Sequence, residues 1–351
     1  MTLTYSDIKT IIEMVSEIKT SMLPALGKEM TDSRTDPSDT NSIPEPKGDA
    51  GVLDRPLPFV NDPEGDCVPD SLPFIVDGHV HLFPDPIFSS VWKWFDEFGW
   101  PIRYKLTSEE IISFLLSRGI NHIVALHYAH KPGVSRELNA YMANLCNSEK
   151  RVSAMATVFP GEKNAAKILA DAFKNDLRGV KLHSHVQCFD MNSESMEEIY
   201  ETCTNHSKPL IMHVGREPKS PAYPCDPYEL CRSDDLERVL KKYPDLKLCV
   251  PHMGADEFEA YRQLIEKYDN LWLDTTMILA EYLPMDHSPN LSEMRVDRII
   301  FGTDFPNLPY AWDREIKNLV RLDLSANSLA KILGQNACEF YSIEIPDIFS
   351  C

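Results

Sequence analysis

The sequence predicts an α/β fold in which eight strands and the helices between them form a distorted (β/α)8 TIM barrel. After Pro73, short apolar runs rich in β-branched residues alternate with longer segments of helical periodicity. This alternation is typical of repeated βα units and a parallel sheet. Eight such runs occupy a length close to the ~250 residues typical of the barrel. Histidines and an aspartate stand where several of the runs end.

Two segments precede the predicted barrel domain, which covers residues 73–351. Residues 1–30 carry apolar side chains at helical spacing, which predicts an amphipathic helical extension. Because its polar face is not strongly basic, we expect this helix to pack on the domain rather than on a membrane. Residues 31–72 are rich in Pro, Asp and Ser, and prolines disfavour regular helix and strand. We expect a linker or an extended arm there.

The predicted strands and helices follow one another along the barrel domain. The strands are "FIVDGHVH", "HIVALHY", "VSAMATVF", "RGVKLHSH", "PLIMHV", "LKLCVPHMG", "NLWLDTT" and "RIIFGTDF". The helices are the amphipathic segments "SRELNAYMANLCNS", "KNAAKILADAF", "SMEEIYETCTNHS" and "SDDLERVLKKY", which begin near residues suited to a helix start. The segment "SANSLAKILGQNACEFY" predicts a closing helix that packs under the barrel.

The composition favours a globular protein that binds a small molecule. Hydrophobic residues make up 43% of the chain and charged residues 25%. The net charge of -19 argues against nucleic acid or an anionic membrane as the main partner, because both would be repelled. No signal-peptide pattern and no apolar run of membrane-spanning length is found, so we expect a cytoplasmic protein. A homodimer is the candidate assembly.

The nine cysteines are scattered and include no CxxC pair, which fits a reducing compartment better than a disulfide framework. The closest pair is Cys225 and Cys231. A structural zinc site would need two more ligands near this pair. Two reduced thiols in a loop are therefore the favoured interpretation.

Side chains of metal-ligand type gather at the predicted strand ends, where such barrels have their active sites. In the first strand His79 and His81 are one residue apart. Alternate residues of a strand point to the same side, so both rings face one point. The other strand-end side chains are Lys181, His183 and His185 in strand four, His213 in strand five, His252 in strand six and Asp304 in strand eight.

A divalent metal is the simplest explanation of this gathering. Neutral imidazoles packed together without a cation would leave lone pairs unsatisfied, whereas a metal binds them. Imidazole nitrogens with one carboxylate suit Zn2+, Mn2+, Fe2+ or Co2+ and disfavour Ca2+ and Mg2+. We expect one or two ions, with zinc as the default.

The motifs "VDGHVHL", "GVKLHSH", "LIMHVG", "CVPHMG", "IIFGTDFP" and "ILGQNACEFY" occur in this order from about residue 74 to 341. With them the sequence resembles the amidohydrolase superfamily, and specifically its amidohydrolase-related branch, which includes the aminocarboxymuconate semialdehyde decarboxylase-like proteins. The first 70 or so residues fall outside the resemblance.

The resemblance implies roles for five of the strand-end residues. It implies that His79, His81, His213 and Asp304 hold the catalytic metal, with His252 beside the metal-bound water or the substrate. A carboxylate near such a water can take its proton, so Asp304 is the expected general base. We expect His252 to stabilise the developing oxyanion.

Three strand-four residues allow two interpretations. In binuclear members of the superfamily a strand-four lysine is carbamylated and bridges two metals, so the resemblance makes Lys181 a candidate ligand. Alternatively, Lys181 is a charged strand-end residue paired with an acid or with the substrate. His183 and His185 are candidates for substrate contact if either faces the site.

Two further residues are candidates for substrate binding. The segment "FPDPIFSSVWKWFDEFGW" brings Trp92 and other aromatic side chains near the site, where they would wall an apolar pocket or serve as ordinary helix core. Arg216 would bind a substrate carboxylate, or it is a solvated loop arginine.

We therefore expect a metal-dependent hydrolase in which metal-activated water attacks the carbonyl of a small amide, lactone or ester. The alternative is a lyase, a non-oxidative decarboxylase or hydratase of a carboxylated and aromatic-derived acid. A metal-binding structural or regulatory protein without catalysis is the third interpretation, which the retention of Asp304 disfavours. Fold analogy does not choose between hydrolysis and decarboxylation.

Overall fold

Eight parallel strands form the centre of the part of the chain that the structure describes. The structure is a computed structural model, and it describes residues 61–216, 220–282 and 289–344. Each strand lies within one of the eight predicted apolar runs. The strands are β1 (Val76–His81), β2 (His122–Leu126), β3 (Val152–Ala154), β4 (Val180–His183), β5 (Leu210–His213), β6 (Leu248–Val250), β7 (Leu271–Asp274) and β8 (Ile299–Ile300).

The strands pair in chain order. Strands β1 to β3 form one sheet and β4 to β8 form another. A single bridge between Ala156 and Val180 connects the two sheets, and a second bridge, between Val80 and Phe305, brings the chain after β8 beside β1. This order confirms the predicted (β/α)8 arrangement. The barrel is distorted because these two seams lack a continuous ladder.

Helices connect the strands, and the predicted helix "SRELNAYMANLCNS" has the predicted bounds. The helices are α1 (Asp85–Phe98), α2 (Ser108–Ser117), α3 (Ser135–Ser148), α4 (Ala165–Lys174), α5 (Ser184–Gln187), α6 (Glu194–Asn205), α7 (Pro227–Leu230), α8 (Ser233–Lys242), α9 (Phe258–Lys267), α10 (Arg314–Arg321), α11 (Ala326–Ala330) and α12 (Asn336–Tyr341). Short 3-10 turns cover Pro251–Gly254, Leu291–Glu293 and Val296–Arg298. Within the described ranges no helix combines the length and the apolar character needed to cross a bilayer.

An irregularity in β1 turns its two histidines toward the barrel interior. Val76 belongs to the core inside the barrel and Val80 to the core between strands and helices, although strict alternation would place both on one face. The pairing of β1 with β2 shifts register between Asp77 and Val80, which is the signature of a bulge. Gly78 is required there, because an added Cβ would lie 2.6 Å from the Ile300 side chain.

The predicted closing helix is confirmed, but a π-helical turn interrupts it. The turn covers Lys331–Gln335, between α11 and α12. It brings Gly334 so close to β1 that an added Cβ would lie 2.2 Å from the carbonyl oxygen of Phe74. At the end of this helix Tyr341 donates a hydrogen bond from its hydroxyl to the carbonyl of Gly78 (2.9 Å). The helix therefore supports the β1 irregularity from below.

The described end of the predicted arm, residues 61–72, forms no helix or strand and is hydrogen-bonded to the barrel domain. The amide of Val68 donates to the carbonyl of Arg118 (2.8 Å), and Asp62 pairs with Arg314 (3.2 Å). The predicted helical extension 1–30 and the remainder of the predicted arm, residues 31–60, lie outside the described residues. The domain boundaries stay a prediction.

We expect limited proteolysis to distinguish the two parts of the predicted arm. The proline-rich composition of residues 31–60 predicts early cleavage there, whereas the hydrogen bonds of residues 61–72 should protect that part. Mass spectrometry of the first fragments locates the cuts. Early cleavage in the barrel loops with residues 31–60 intact would contradict the prediction.

Candidate metal centre

Three predicted metal ligands converge at the C-terminal end of the barrel. The Nε2 atoms of His79 and His81 lie 3.3 Å apart. Asp304 Oδ1 lies 3.4 Å from the first of these nitrogens and 3.1 Å from the second. All three residues are buried, and their ligand atoms form a group able to hold a metal ion.

The protonation state of His79 is fixed by Asp274, at the end of β7. Nδ1 of His79 donates a hydrogen bond to Asp274 Oδ2 (2.8 Å). Burial, followed by the charge of Lys181, lowers the pKa of His79 to about 4, so the ring is neutral near pH 7. Burial opposes ionisation of Asp274, yet its interactions with His79 bring the pKa of this carboxyl down to about 2. The free lone pair of His79 is therefore on Nε2.

This arrangement fits a divalent cation. His81 can donate a proton from Nε2 to Asp304, but the lone pair of His79 Nε2 still faces a buried carboxylate oxygen at 3.4 Å. That contact is repulsive unless a cation lies between the atoms. Zinc bonds of 2.0–2.2 Å in a tetrahedron would place ligand atoms about 3.3–3.5 Å apart. The three observed separations, 3.1 to 3.4 Å, are close to that spacing.

Asp304 is held against β1 by the backbone around it. It follows β8 in a left-handed conformation (φ 71°), and its amide donates to the carbonyl of His79 (2.9 Å). The hydroxyl of Thr303 donates to Asp77 in β1 (2.6 Å). Burial raises the pKa of Asp77 to about 7 against the lowering effect of its hydrogen bonds. These contacts join β1 to the segment that carries Asp304, the predicted metal ligand.

His252 lies beside this centre on the 3-10 turn after β6. Its amide donates to Asp274 Oδ1 (2.9 Å), and its ring Nδ1 donates to the carbonyl of Thr276 (3.0 Å). Its ring centroid is 5.7 Å from that of His79 and 4.6 Å from that of His213. With Nδ1 as the donor, Nε2 is the ring nitrogen left to accept a proton.

His213, the fourth predicted ligand, lies in a second group with His183 and His185. The ligand atoms of these three buried histidines lie within 4.8 Å of one another. The His183 and His213 rings stack with centroids 4.0 Å apart. The predicted four-ligand set is thus divided between two neighbouring groups, and the role of His213 as a ligand of the first stays a prediction.

Lys181 is fully buried in β4, two residues before His183. Burial is the main cause of the lowered pKa of His79 and of His213, and the charge of Lys181 adds to it. For His213, His252 and His185 lower the pKa more than Lys181 does. The predicted strand-four lysine therefore lies close enough to the histidines to act on them electrostatically. Whether it is a ligand stays a prediction.

The two other predicted substrate-binding residues differ in their surroundings. Trp92 lies on α1 and stacks on Phe88 with centroids 5.3 Å apart, and Phe88 contacts Phe83, which stacks against His81. Arg216 lies 4.0 Å from Glu257 and over the ring of Tyr228, 4.6 Å from its centroid. Trp92 is thus linked by ring contacts to His81, a predicted metal ligand. Arg216 contacts Glu257 and Tyr228 near the turn after β6.

Asp274 and Asp77 were not predicted from the sequence, although their hydrogen bonds position the residues of the centre. Asp274 ends the apolar run "LWLD" at the same barrel end as the histidines, and this position could have identified it. Asp77 stands inside β1, where a carboxyl group in an apolar run is itself unusual.

A parallel barrel with histidine and aspartate ligands at its strand ends defines the class of metal-binding (β/α)8 proteins. A sequence model of the amidohydrolase family matches residues 76–343. The chain belongs to this family. No curated protein matches the chain by sequence.

Solved structures share the fold at low sequence identity. The 5-carboxyvanillate decarboxylase of Novosphingobium aromaticivorans, complexed with manganese, is 16% identical with a TM-score of 0.54, over 78% of this chain and 96% of that chain. A probable 2-pyrone-4,6-dicarboxylic acid hydrolase of Acinetobacter baumannii is 16% identical (TM-score 0.55; 77% and 99%). An amidohydrolase of Burkholderia multivorans with bound zinc is 14% identical (TM-score 0.58; 77% and 100%).

We expect Asp274→Asn to weaken metal binding at the first group by roughly 10- to 100-fold, the usual effect of losing a carboxylate that orients a ligating histidine. A chelator competition titration of the full chain measures the affinity. Asp313→Asn is the matched control, because this buried carboxyl contacts Gly65 and Lys317 instead of a histidine. Equal affinities of the two variants would contradict the role given to Asp274.

Proposed function

We propose that the chain is a metal-dependent hydrolase that adds water to the carbonyl group of a small amide, lactone or ester. The observation that carries this proposal is the convergence of His79, His81 and Asp304, which leaves a metal with an open position. When bound there, zinc or another divalent transition metal lowers the pKa of a coordinated water and polarises a carbonyl. The family membership and the similar enzymes support a metal-dependent enzyme.

Asp304 and His252 are the proposed proton carriers. Asp304 Oδ1 faces the two imidazoles, so we assign acceptance of a proton from the attacking water to Oδ2. His252 donates from Nδ1 to Thr276, so Nε2 is the nitrogen at which the ring accepts a proton and then donates it to the leaving group. It stabilises an oxyanion by hydrogen bonding only as the protonated imidazolium.

Trp92 is the residue that we propose binds substrate on the α1 side of the site. Its indole nitrogen is buried and has no hydrogen-bond acceptor among the described residues. The ring is also part of the aromatic contacts that end at His81. We propose that these rings form one wall of the substrate site and that the indole N–H donates to a substrate oxygen.

The second candidate function is non-oxidative decarboxylation of an aromatic-derived acid. The aromatic wall favours it, because Phe83 and Tyr128 both contact the His81 ring (6.1 and 6.0 Å between centroids) and suit a planar substrate. One similar structure is a decarboxylase and another is a probable hydrolase, so the experiment must assay both reactions. Protonated His252 would then supply the proton that replaces the carboxyl group.

A direct comparison of products separates the two reactions. The metal-loaded protein is given a panel of lactones and amides in a pH-stat and a panel of hydroxylated benzoic acids in a CO2 assay. Proton release from lactones supports the hydrolase. CO2 release without lactone or amide hydrolysis would contradict the hydrolase proposal and support the lyase.

We expect Asp304→Asn to retain much of the metal and to lose on the order of 10²-fold or more in kcat, the usual worth of a positioned base. His79→Ala combined with His81→Ala should lose metal and activity together, because two ligands are removed. His122→Gln is the control, a buried histidine in β2 bonded to Ser153. Metal analysis and kcat test both expectations. Normal turnover by metal-loaded Asp304→Asn would show that this carboxylate is no base.

A further inference from the structure

We infer that Glu64, on the arm that precedes the barrel strands, is a positioning residue for Asp304 and acts through Tyr104. This role rests on the proposed function, because Asp304 is there a ligand of the catalytic metal. The family model begins at residue 76, so Glu64 lies outside the region that the family model matches. The described end of the arm thus takes part in metal binding without supplying a ligand.

The hydroxyl of Tyr104 connects the arm to the loop after β8. It donates a hydrogen bond to Glu64 Oε2 (2.5 Å) and accepts one from the amide of Trp312 (2.9 Å). Tyr104 is buried, so loss of the Glu64 acceptor would leave its hydroxyl proton unsatisfied. Glu64 and Trp312 therefore fix the position of the Tyr104 ring.

The Tyr104 ring packs against Phe305, the residue that follows Asp304. The two ring centroids lie 4.8 Å apart, and Phe114 contacts both rings (5.4 and 5.2 Å). Phe305 is fully buried, and its carbonyl accepts a hydrogen bond from the amide of His81 (2.8 Å). Phe305 therefore links Tyr104 to two of the three converging ligands.

The backbone of Asp304 depends on support of this kind. Its left-handed conformation (φ 71°) is one that side chains other than glycine rarely adopt, and it persists only where the surroundings hold it. Packing of Phe305 against Tyr104 restricts the backbone directly after Asp304. The direction of the Asp304 carboxylate, and with it the ligand spacing, follows from that restriction.

Arg103 holds the Glu64 carboxylate beside Tyr104, although Glu64 is an exposed residue. Arg103 Nη2 lies 3.1 Å from Glu64 Oε2, and its Nη1 donates to the carbonyl of Asp62 (2.6 Å). The amide of Arg103 donates to the carbonyl of Leu308 (2.8 Å). Arg103 thus contacts the arm at two points and the loop after β8 at a third.

A chelator competition titration of the full-length chain tests the role of Glu64. We expect Glu64→Ala to weaken metal binding at the first group about fivefold, since an effect passed through intervening residues is smaller than the loss of a direct ligand partner. Tyr104→Phe keeps the ring and removes only the hydroxyl, so it should lose a similar factor. Wild-type affinity of Glu64→Ala would overturn the inference.

The double variant Glu64→Ala, Tyr104→Phe distinguishes positioning from general destabilisation. If Glu64 acts through the Tyr104 hydroxyl, the double variant binds metal as weakly as Tyr104→Phe alone, because both changes remove one shared interaction. Independent effects would instead multiply to a loss of about 25-fold. That result would overturn the action through Tyr104.

Two control variants change carboxylates in the same part of the chain. Asp66→Ala removes an exposed carboxylate of the arm, and Asp313→Asn changes the contact of the barrel domain with Gly65. Neither carboxylate is hydrogen-bonded to Tyr104 in the described part of the chain, so both variants should keep the wild-type affinity. A loss in either control equal to that of Glu64→Ala would overturn the specific role of Glu64.

The conservative variant Glu64→Gln adds a readout that a general loss of packing would not produce. Its amide oxygen can accept the Tyr104 hydroxyl proton, so this variant should keep most of the affinity that Glu64→Ala loses. Equal losses in the two variants would contradict the hydrogen bond as the cause. Circular dichroism identifies any variant that does not fold, and Tyr104→Phe then decides in place of Glu64→Ala.

These measurements need no substrate, so they separate the role of Glu64 from the reaction. A wild-type chain that binds metal, with unchanged affinity in Glu64→Ala, would overturn the role of Glu64 alone. A wild-type chain that binds no metal at His79, His81 and Asp304 would overturn the proposed function as well.

Discussion

The hydrogen bond between His79 and Asp274 is the interaction on which the candidate centre depends. It fixes the proton of His79 on Nδ1 and so directs the lone pair of Nε2 toward Asp304. The other oxygen of Asp274 accepts a hydrogen bond from the amide of His252, so one carboxylate positions both a predicted ligand and a proposed proton carrier. Since Asp274 itself is buried at the end of β7, the position of these groups follows from the packing of the barrel strands.

The same centre depends on a departure from regular strand geometry. Without the register shift in β1, alternation from Val76 would turn His79 and His81 away from the interior. Gly78 makes the shift possible, and Tyr341 holds it by donating to the Gly78 carbonyl. The closing helix is distant from β1 in sequence, yet it supports the position of His79 and His81 through its hydrogen bond to the backbone of Gly78.

Much of the fold could be predicted from the sequence, because buried parallel strands are continuous apolar runs and the helices between them are amphipathic. Strand lengths could not: the predicted run "RIIFGTDF" forms only the two-residue β8, since the chain then turns to place Asp304. The candidate ligands were predictable as strand ends. Their division into two groups was not, because it depends on the radial positions of β1, β4 and β5.

Helix α1 joins both groups through ring contacts. Trp92 is linked through Phe88 and Phe83 to His81, while Trp94 stacks on Tyr223, which stacks on His185. Indole emission depends on nearby charge and ring packing. The chain therefore carries an indole near each histidine group on one helix, so a change in charge or ring packing at the first group should alter the emission of the unlabelled protein.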